Sequence, residues 1–377
     1  MPDETDVLIV GGGPAGLATA IALGQRGLKC VVADARAGGG IGIDKPCGEG
    51  LMPDTVEALG RLGVWVDVAE GHAFRGIRFQ NARQRAEARF PVGSGMGVRR
   101  PVLHQKLVRR AEATGAELRW GTRITFEDEK SARVNGDLVR FRYLVGADGQ
   151  SSGVRKWTGL EETSAMGKRL GFCQHFQVTP WSDFVEIHWG RSGQVYVTPV
   201  GADQVCVVFI ARDAAGLDRA DLFAGFPEIQ RRLKGVESVA GVRGGVSTTR
   251  KLRRVATEQV ALVGDASGSA DSITGEGLAM CFRQSMALAE AIEAGDLKRY
   301  EVAHEQIGKL PHAMGSMMLL LDRWPVLEGR VIGALATHPA LFAEMLAVHV
   351  GEMSVARFVL RRGPQLGWNL LTHSARA

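Results

Sequence analysis

The chain has no uninterrupted apolar run approaching about 20 residues, which excludes an ordinary membrane-spanning helix. It also lacks the charged n-region, apolar stretch and cleavage site of a secretory leader, because strand-like residues begin almost at once. No CxxC pair occurs among its five scattered cysteines, Cys30, Cys47, Cys173, Cys206 and Cys281. That spacing argues against a structural zinc site or any bound metal and reads as reduced thiols in a cytoplasmic protein. The basic pairs Arg99–Arg100 and Arg361–Arg362 have no base-stacking aromatic pattern beside them, and the net charge is only +5. Those arginines therefore suit phosphates or acidic side chains better than nucleic acid. Hydrophobic content of 45% with 23% charged residues is that of a soluble globular enzyme, and 377 residues exceed one usual core.

Against these absences stands Asp6–Val7–Leu8–Ile9–Val10, followed by Gly11–Gly12–Gly13–Pro14–Ala15–Gly16 and an Ala- and Leu-rich helical stretch. Here G-x-G-x-x-G lies between strand and helix, the setting in which that motif has meaning. Gly11 permits the tight turn, Gly13 lets a pyrophosphate approach the backbone, and Gly16 lets helix pack on strand. The free N–H groups of the helix start then face the phosphates. A second strand, Lys29 to Ala33, ends in Asp34, placed to accept bonds from a ribose, with Ala35 and Arg36 following. These features specify a dinucleotide site in a doubly wound α/β unit.

Two more strand–turn–helix units follow. Phe141–Val145 leads into Gly146–Ala147–Asp148–Gly149, then Ser152 and Arg155; Val260–Val263 leads into Gly264–Asp265–Ala266. The helix beginning near Gly275–Glu276–Gly277 aims its positive end at whatever precedes it, where developing negative charge on a ring would be stabilised. Between Asp34 and Pro53 a loop from Gly38 to Met52, rich in glycine, reads as backbone that approaches a ligand or swings. Alternation near Phe74–Val98 and from Leu170 to Ala211 predicts antiparallel strands of a second sheet roofing a pocket. Asp54–Leu62 reads as a short helix capped by Asp54. The domain order expected is cofactor-binding residues 1–72, 99–165 and 251–296, substrate-side strands 73–98 and 166–250, and a helical C-terminal region 297–377. Met314, Met317, Met318 and the leucines after them read first as core. Their second reading is a wall for a greasy substrate or a membrane-touching face beside Arg357, Arg361 and Arg362.

Three such motifs in this order resemble the flavoprotein superfamily of para-hydroxybenzoate hydroxylase, which includes geranylgeranyl reductases and flavin-dependent halogenases. The resemblance implies a Rossmann-like FAD-binding domain with an inserted antiparallel-sheet substrate domain and extended FAD. Gly11, Gly13, Pro14, Ala15 and Gly16 would hold pyrophosphate, Asp34 with Ala35 and Arg36 the adenosine side, and Gly264–Asp265 the ribityl chain. Arg100, with help from Gln105, resembles the arginine near the pyrophosphate; Asp148 and Gly149 would lie close to the cofactor. Backbone at Gly275, Glu276 and Gly277 would sit at the pyrimidine edge, and Cys47–Gly48 beside the ring. With no second G-x-G-x-x-G, NAD(P)H as reductant would dock transiently.

Lys45–Pro46–Cys47–Gly48–Glu49–Gly50–Leu51 is most similar to the geranylgeranyl reductase branch, as is Thr274–Gly275–Glu276–Gly277. Ser272 stands where most members have proline. No lysine occurs between Pro46 and Gln105, and Tyr196–Val197–Thr198–Pro199–Val200 lacks the tryptophans of halogenases, so halogenation is a minor reading. The residues lean towards an NAD(P)H-dependent monooxygenase of an aromatic or polyketide-like compound, ahead of a saturase reducing C=C bonds of an isoprenoid. A flavin-binding partner protein without turnover stands behind both. Candidate proton donors are Cys47, Glu49, Tyr196, His175 and, less centrally, His188. Expected partners are a small hydrophobic substrate and no nucleic acid. The chain is expected to be a monomer or homodimer, with peripheral membrane contact through the C-terminal helices as an option.

Overall fold

A computed structural model describes residues 3–37, 44–160, 163–212 and 222–372. The first strand, Asp3–Val10, lies parallel between Cys30–Asp34 and Asp137–Gly146, and Glu117–Trp120 extends the sheet beyond Cys30–Asp34. Val260–Leu262 adds in parallel to the end of Asp137–Gly146. Such strands are buried on both faces, which is why Val7–Ile9 and Val31–Ala33 read as continuous apolar runs rather than alternations. Ile124–Asp128 and Ser131–Val134 complete this sheet as an antiparallel edge meander. These two are absent from the sequence expectation, because Glu127, Asp128, Glu129 and Lys130 interrupt the apolar pattern.

Helices Pro14–Gly24 and Gly277–Glu293 pack on the sheet and on each other, where Thr19 Oγ1 and Ser285 Oγ lie 3.0 Å apart. The second sheet has eight strands in the order Gly268–Ser269, Arg243–Leu252, Thr163–Gln177, Gln204–Ala211, Gly193–Gly201, Val185–Trp189, Gly76–Gln80 and Arg85–Arg89. Of the strands expected within 73–98, Gly76–Gln80 and Arg85–Arg89 therefore join the roof. Gly95–Val98 instead pairs with Gly71–Phe74 and Gly50–Leu51 in a small third sheet. One face of the roof buries Phe172, Phe176, Val195, Val207 and Phe209 under Leu222–Leu233. The other carries a small patch of Cys173, Val200, Cys206, Val208 and Ile210 with Tyr196 beside it.

The C-terminal region is helical as expected: Leu297–Arg323, Pro325–Thr337, Pro339–His349 and Val355–Thr372. It packs Leu335, Leu341 and Phe342 on Phe79, Ile187 and Trp189 of the roof, each such buried side chain contributing about 1.5–3 kcal/mol. Asp322 fastens it electrostatically, accepting from Arg169 at 2.9 Å and Arg212 at 3.2 Å. No single described helix is long and apolar enough to cross a membrane. Pro325–Thr337 and Pro339–His349 pass that test only together, and they are bent by 107°.

Asp54 is not the helix cap that the sequence suggests. The helix is Pro53–Arg61 with Met52 at the cap, and the Asp54 carboxylate is drawn to Arg283 instead. A charged partner on a neighbouring helix outcompetes a local backbone N–H.

Candidate functional site

The first turn is built around missing side chains. Gly11 has φ +111°, and a Cβ there would lie 2.4 Å from the Ala147 oxygen; at Gly16 one would lie 1.8 Å from the Gly11 oxygen. Gly13 is different, since nothing lies within 4 Å of its missing Cβ. It stands at the N-cap of Pro14–Gly24 with no side-chain cap, so the first N–H groups of that helix remain available to an anion. Asp34, buried at the end of its strand, accepts from Gly12 N at 2.7 Å and from Arg36 N at 2.8 Å. Burial opposes its ionisation, but the Arg36 and Gly12 bonds outweigh that and hold the carboxyl below its usual range. Ala35 and Arg36 are exposed beside it.

His104, fully buried, lies with Nε2 2.8 Å from the Gly12 carbonyl oxygen. Burial pushes its pKa down, so a neutral imidazole donates to that oxygen. Its neighbour Gln105, singled out from the sequence, is exposed. A lone histidine on a helix carries no sequence signal for such a role.

The second and third turns meet the first. Ala147 N donates to Val10 O at 2.8 Å and Val263 N to Gly146 O at 2.9 Å, so the three strand ends are locked in step. Asp148 Oδ2 accepts from Gly153 N at 2.7 Å, while its buried Oδ1 has no hydrogen-bond partner. Gly149, with φ +81°, has only Lys45 Nζ near its missing Cβ, at 3.9 Å. Gly264 N donates to Gln284 Oε1 at 3.0 Å. Asp265 is exposed yet ringed by protein; burial pushes its carboxyl up, against the pull of Lys45 and Arg100. Nothing lies within 4 Å of the missing Cβ at Gly48, Gly275 or Gly277. The helix Gly277–Glu293 likewise starts without a side-chain cap. The Glu276 side chain points elsewhere, into an ion pair with His349 at 2.9 Å, so only its backbone is left for a ligand.

Open glycines at four turn positions, the partnerless Asp148 Oδ1 and the partnerless buried Arg100 Nε fit an extended dinucleotide with a pyrophosphate.

The loop beside this cleft is described from Asp44 onward; its residues Gly38 to Ile43 lie outside the described residues. Glu49 anchors it. Its backbone takes φ 57°, in the left-handed region, and four bonds hold it there. Oε1 accepts from Arg100 N at 2.8 Å, and Oε2 lies 2.8 Å from His175 Nε2. Glu49 O accepts from Val98 N at 2.9 Å, and Glu49 N lies 3.4 Å from Cys47 Sγ. Burial raises the Cys47 pKa and keeps it a thiol. Cys173 Sγ lies 3.6 Å from Cys206 Sγ and 4.0 Å from His175 Nε2. The hydrogen bond from Cys206 lowers the Cys173 pKa to about 6. Burial alone would lower that of His175, but Cys173 and Glu49 raise it to about 9.

Tyr196 stands at the other side of the roof patch, its hydroxyl 2.7 Å from both the Ile273 carbonyl and Gln194 Oε1. Burial pushes its pKa up, so it stays protonated at neutral pH. His188 does not join this group: it is buried against Glu186 at 3.0 Å and Gln80 at 2.7 Å, a satisfied structural pair.

The chain is similar to known flavoproteins over most of its length. A menaquinone reductase of Mycobacterium tuberculosis is 27% identical over 329 residues, covering 79% of this chain and 78% of that protein. A digeranylgeranylglycerophospholipid reductase of Methanococcoides burtonii is 26% identical over 356 residues, covering 88% and 82%. A crystal structure of a flavoprotein/dehydrogenase from Cytophaga hutchinsonii superposes with TM-score 0.81 at 16% identity, covering 98% of this chain and 99% of that one. Residues 4–295 match the model of the FAD binding domain family, and with its cradle in place the chain belongs to that family as an FAD-dependent oxidoreductase.

Proposed function

We propose that the chain reduces a carbon–carbon double bond of an apolar, isoprenoid-like substrate, drawing on NAD(P)H as reductant. Bound FAD supplies hydride chemistry. The cofactor would supply the hydride for one alkene carbon, and the protein must deliver a proton to the other. The protein has to exclude water, place the alkene and hold that proton. The observation that carries this reading is Tyr196. Its ring packs beside the apolar roof patch, and its protonated hydroxyl reaches Ile273, in the turn leading to the helix at Gly277. The similarity to two proteins named as reductases supports reduction as the reaction class.

Tyr196→Phe should retain flavin and its reduction by NAD(P)H, while anaerobic reduction of a polyprenyl alkene falls about 10²–10⁴-fold. Undiminished turnover would remove Tyr196 as the donor. Oxygen uptake in step with NAD(P)H oxidation, with a hydroxylated product, would instead establish the monooxygenase that the sequence favours.

A lipid-like substrate also accounts for the last helix, Val355–Thr372. Phe358 and Leu366 pack inward on the core, whereas Val355, Val359 and Leu360 are exposed, Leu360 at 82%, with Arg357 and Arg361 alongside. Apolar residues flanked by arginine suit an anionic bilayer surface. The protein should co-float with vesicles containing anionic phospholipid, and Leu360→Glu should reduce the bound fraction severalfold. Failure of the unaltered protein to float would refute this placement.

A further inference from the structure

We propose that Cys173, His175 and Cys206, with Glu49 as fourth ligand, form a binding site for a thiophilic tetrahedral cation of the zinc or cadmium type. This site lies where the flavin-side loop meets the roof, and it does not depend on the reaction proposed above.

The ligand set comes from strand register. Cys173 and His175 are two residues apart on one strand and so share a face, and Cys206 sits directly across from His175 on the next strand. Three side chains therefore converge although Cys173 and Cys206 are 33 residues apart, a separation no spacing motif reveals. Their ligand atoms all lie within 4.8 Å of one another. Zinc bonds of about 2.3 Å to sulfur and about 2.0–2.1 Å to nitrogen imply tetrahedron edges of about 3.8 Å and about 3.6 Å. The observed separations are 3.6 Å between the sulfurs and 4.0 Å from Cys173 Sγ to His175 Nε2. These two edges are within a few tenths of an ångström of a filled site, and the Cys206–His175 edge, at most 4.8 Å, would close on binding.

Glu49 Oε2, 2.8 Å from His175 Nε2, is the nearest further ligand atom. On binding, the protons still held by the sulfurs and the imidazole are released, and the carboxylate exchanges its contact with Nε2–H for the cation. Two thiolates and a carboxylate against a divalent cation leave one negative charge. The Arg99 guanidinium, 3.6 Å from Glu49, stands ready to balance it, and the backbone N–H of Arg100 donates to Glu49 Oε1 at 2.8 Å. The Cys47 carbonyl, 3.6 and 3.5 Å from the Cys173 and Cys206 sulfurs, gives up those weak contacts. All four ligands are nearly fully buried beside Val200, Val208 and Ile210, so the ion would be dry and hard to lose. Glu49 belongs to the flavin-side loop and the other three to the roof, so an occupied site would pin the loop to the roof.

The experiment is a cadmium titration of the chelator-treated, flavin-loaded full chain, read by the ultraviolet thiolate-to-cadmium charge-transfer band. Metal analysis after dialysis gives the stoichiometry. One cadmium per chain is expected, competed by zinc. Cys206→Ser and His175→Gln should each weaken binding by more than the roughly 10–100-fold typical of outer-shell partners. Cys281→Ser, in the flavin domain, should leave it unchanged. Glu49→Gln should weaken binding while preserving the band. Less than one equivalent on the unaltered protein overturns the proposal whatever the variants do. So does a band that persists at full affinity in Cys206→Ser and His175→Gln.

Discussion

Gly13→Asp should yield a folded, colourless protein. The position is the N-cap of Pro14–Gly24 with φ −77° and ψ −179°, extended backbone that any residue adopts, and its missing Cβ faces open space. Aspartate there caps the helix as well as glycine or better, by a few tenths of a kcal/mol, so the urea midpoint should hold or rise slightly. Yet its carboxylate would occupy the N–H groups and the positive end that the pyrophosphate needs, and would repel it. FAD affinity should fall about 100-fold or more, equivalent to about 3 kcal/mol. Gly16→Ala is the contrasting change. Its Cβ would lie 1.8 Å from the Gly11 carbonyl oxygen, so the strand–helix junction itself must open and the chain should lose both flavin and fold. Absorbance of the purified proteins, with urea denaturation of each, separates the two. A Gly13→Asp protein carrying a full complement of flavin would show that the phosphates lie elsewhere.

That contrast also marks what a sequence can disclose. Gly11, Gly13 and Gly16 are legible because their jobs are local: strand, turn and helix adjoin in the chain, and the spacing encodes the geometry. The same holds for Gly264–Asp265 and for the roof strands, whose alternation survives at Cys173, His175 and Gln177. His104 is not legible and Glu49 only partly so, because their roles depend on which remote backbone or side chain they meet. Glu49 lies in a suggestive loop, but its partners Arg100 and His175 arrive from 51 and 126 residues away. Glu276 shows the opposite case. It sits inside a motif, yet its side chain is claimed by His349 from the C-terminal helices, and only its backbone is left for a ligand. The edge strands near Ile124–Val134 escape notice because a solvated edge needs little apolar patterning.

Arg155→Ala should be the most damaging single change outside the glycines. Ser152 and Arg155 follow the second turn, and each has a task the spacing alone does not reveal. Ser152 Oγ accepts from Arg155 N at 3.0 Å and so caps the short helix Gly153–Trp157. That cap aims the fully buried Arg155 side chain between two turns: Nη2 donates to Gln150 O at 2.7 Å and Nη1 to Ala266 O at 2.9 Å. One guanidinium thus staples the turn after Asp148 to the turn after Asp265, and its planar fork suits two carbonyls at once. Charged hydrogen bonds of this kind contribute about 1.5–3 kcal/mol each, and alanine would also leave a cavity where the side chain lay. A loss of about 3–5 kcal/mol is therefore expected, with flavin affinity falling together with stability if both turns border the flavin as proposed. Arg155→Lys keeps the charge but reaches only one carbonyl well, so it should fall between the two proteins. Urea denaturation with and without FAD reads both quantities. An unchanged midpoint together with wild-type flavin retention in Arg155→Ala would mean that the two turns are held in register by the sheet alone.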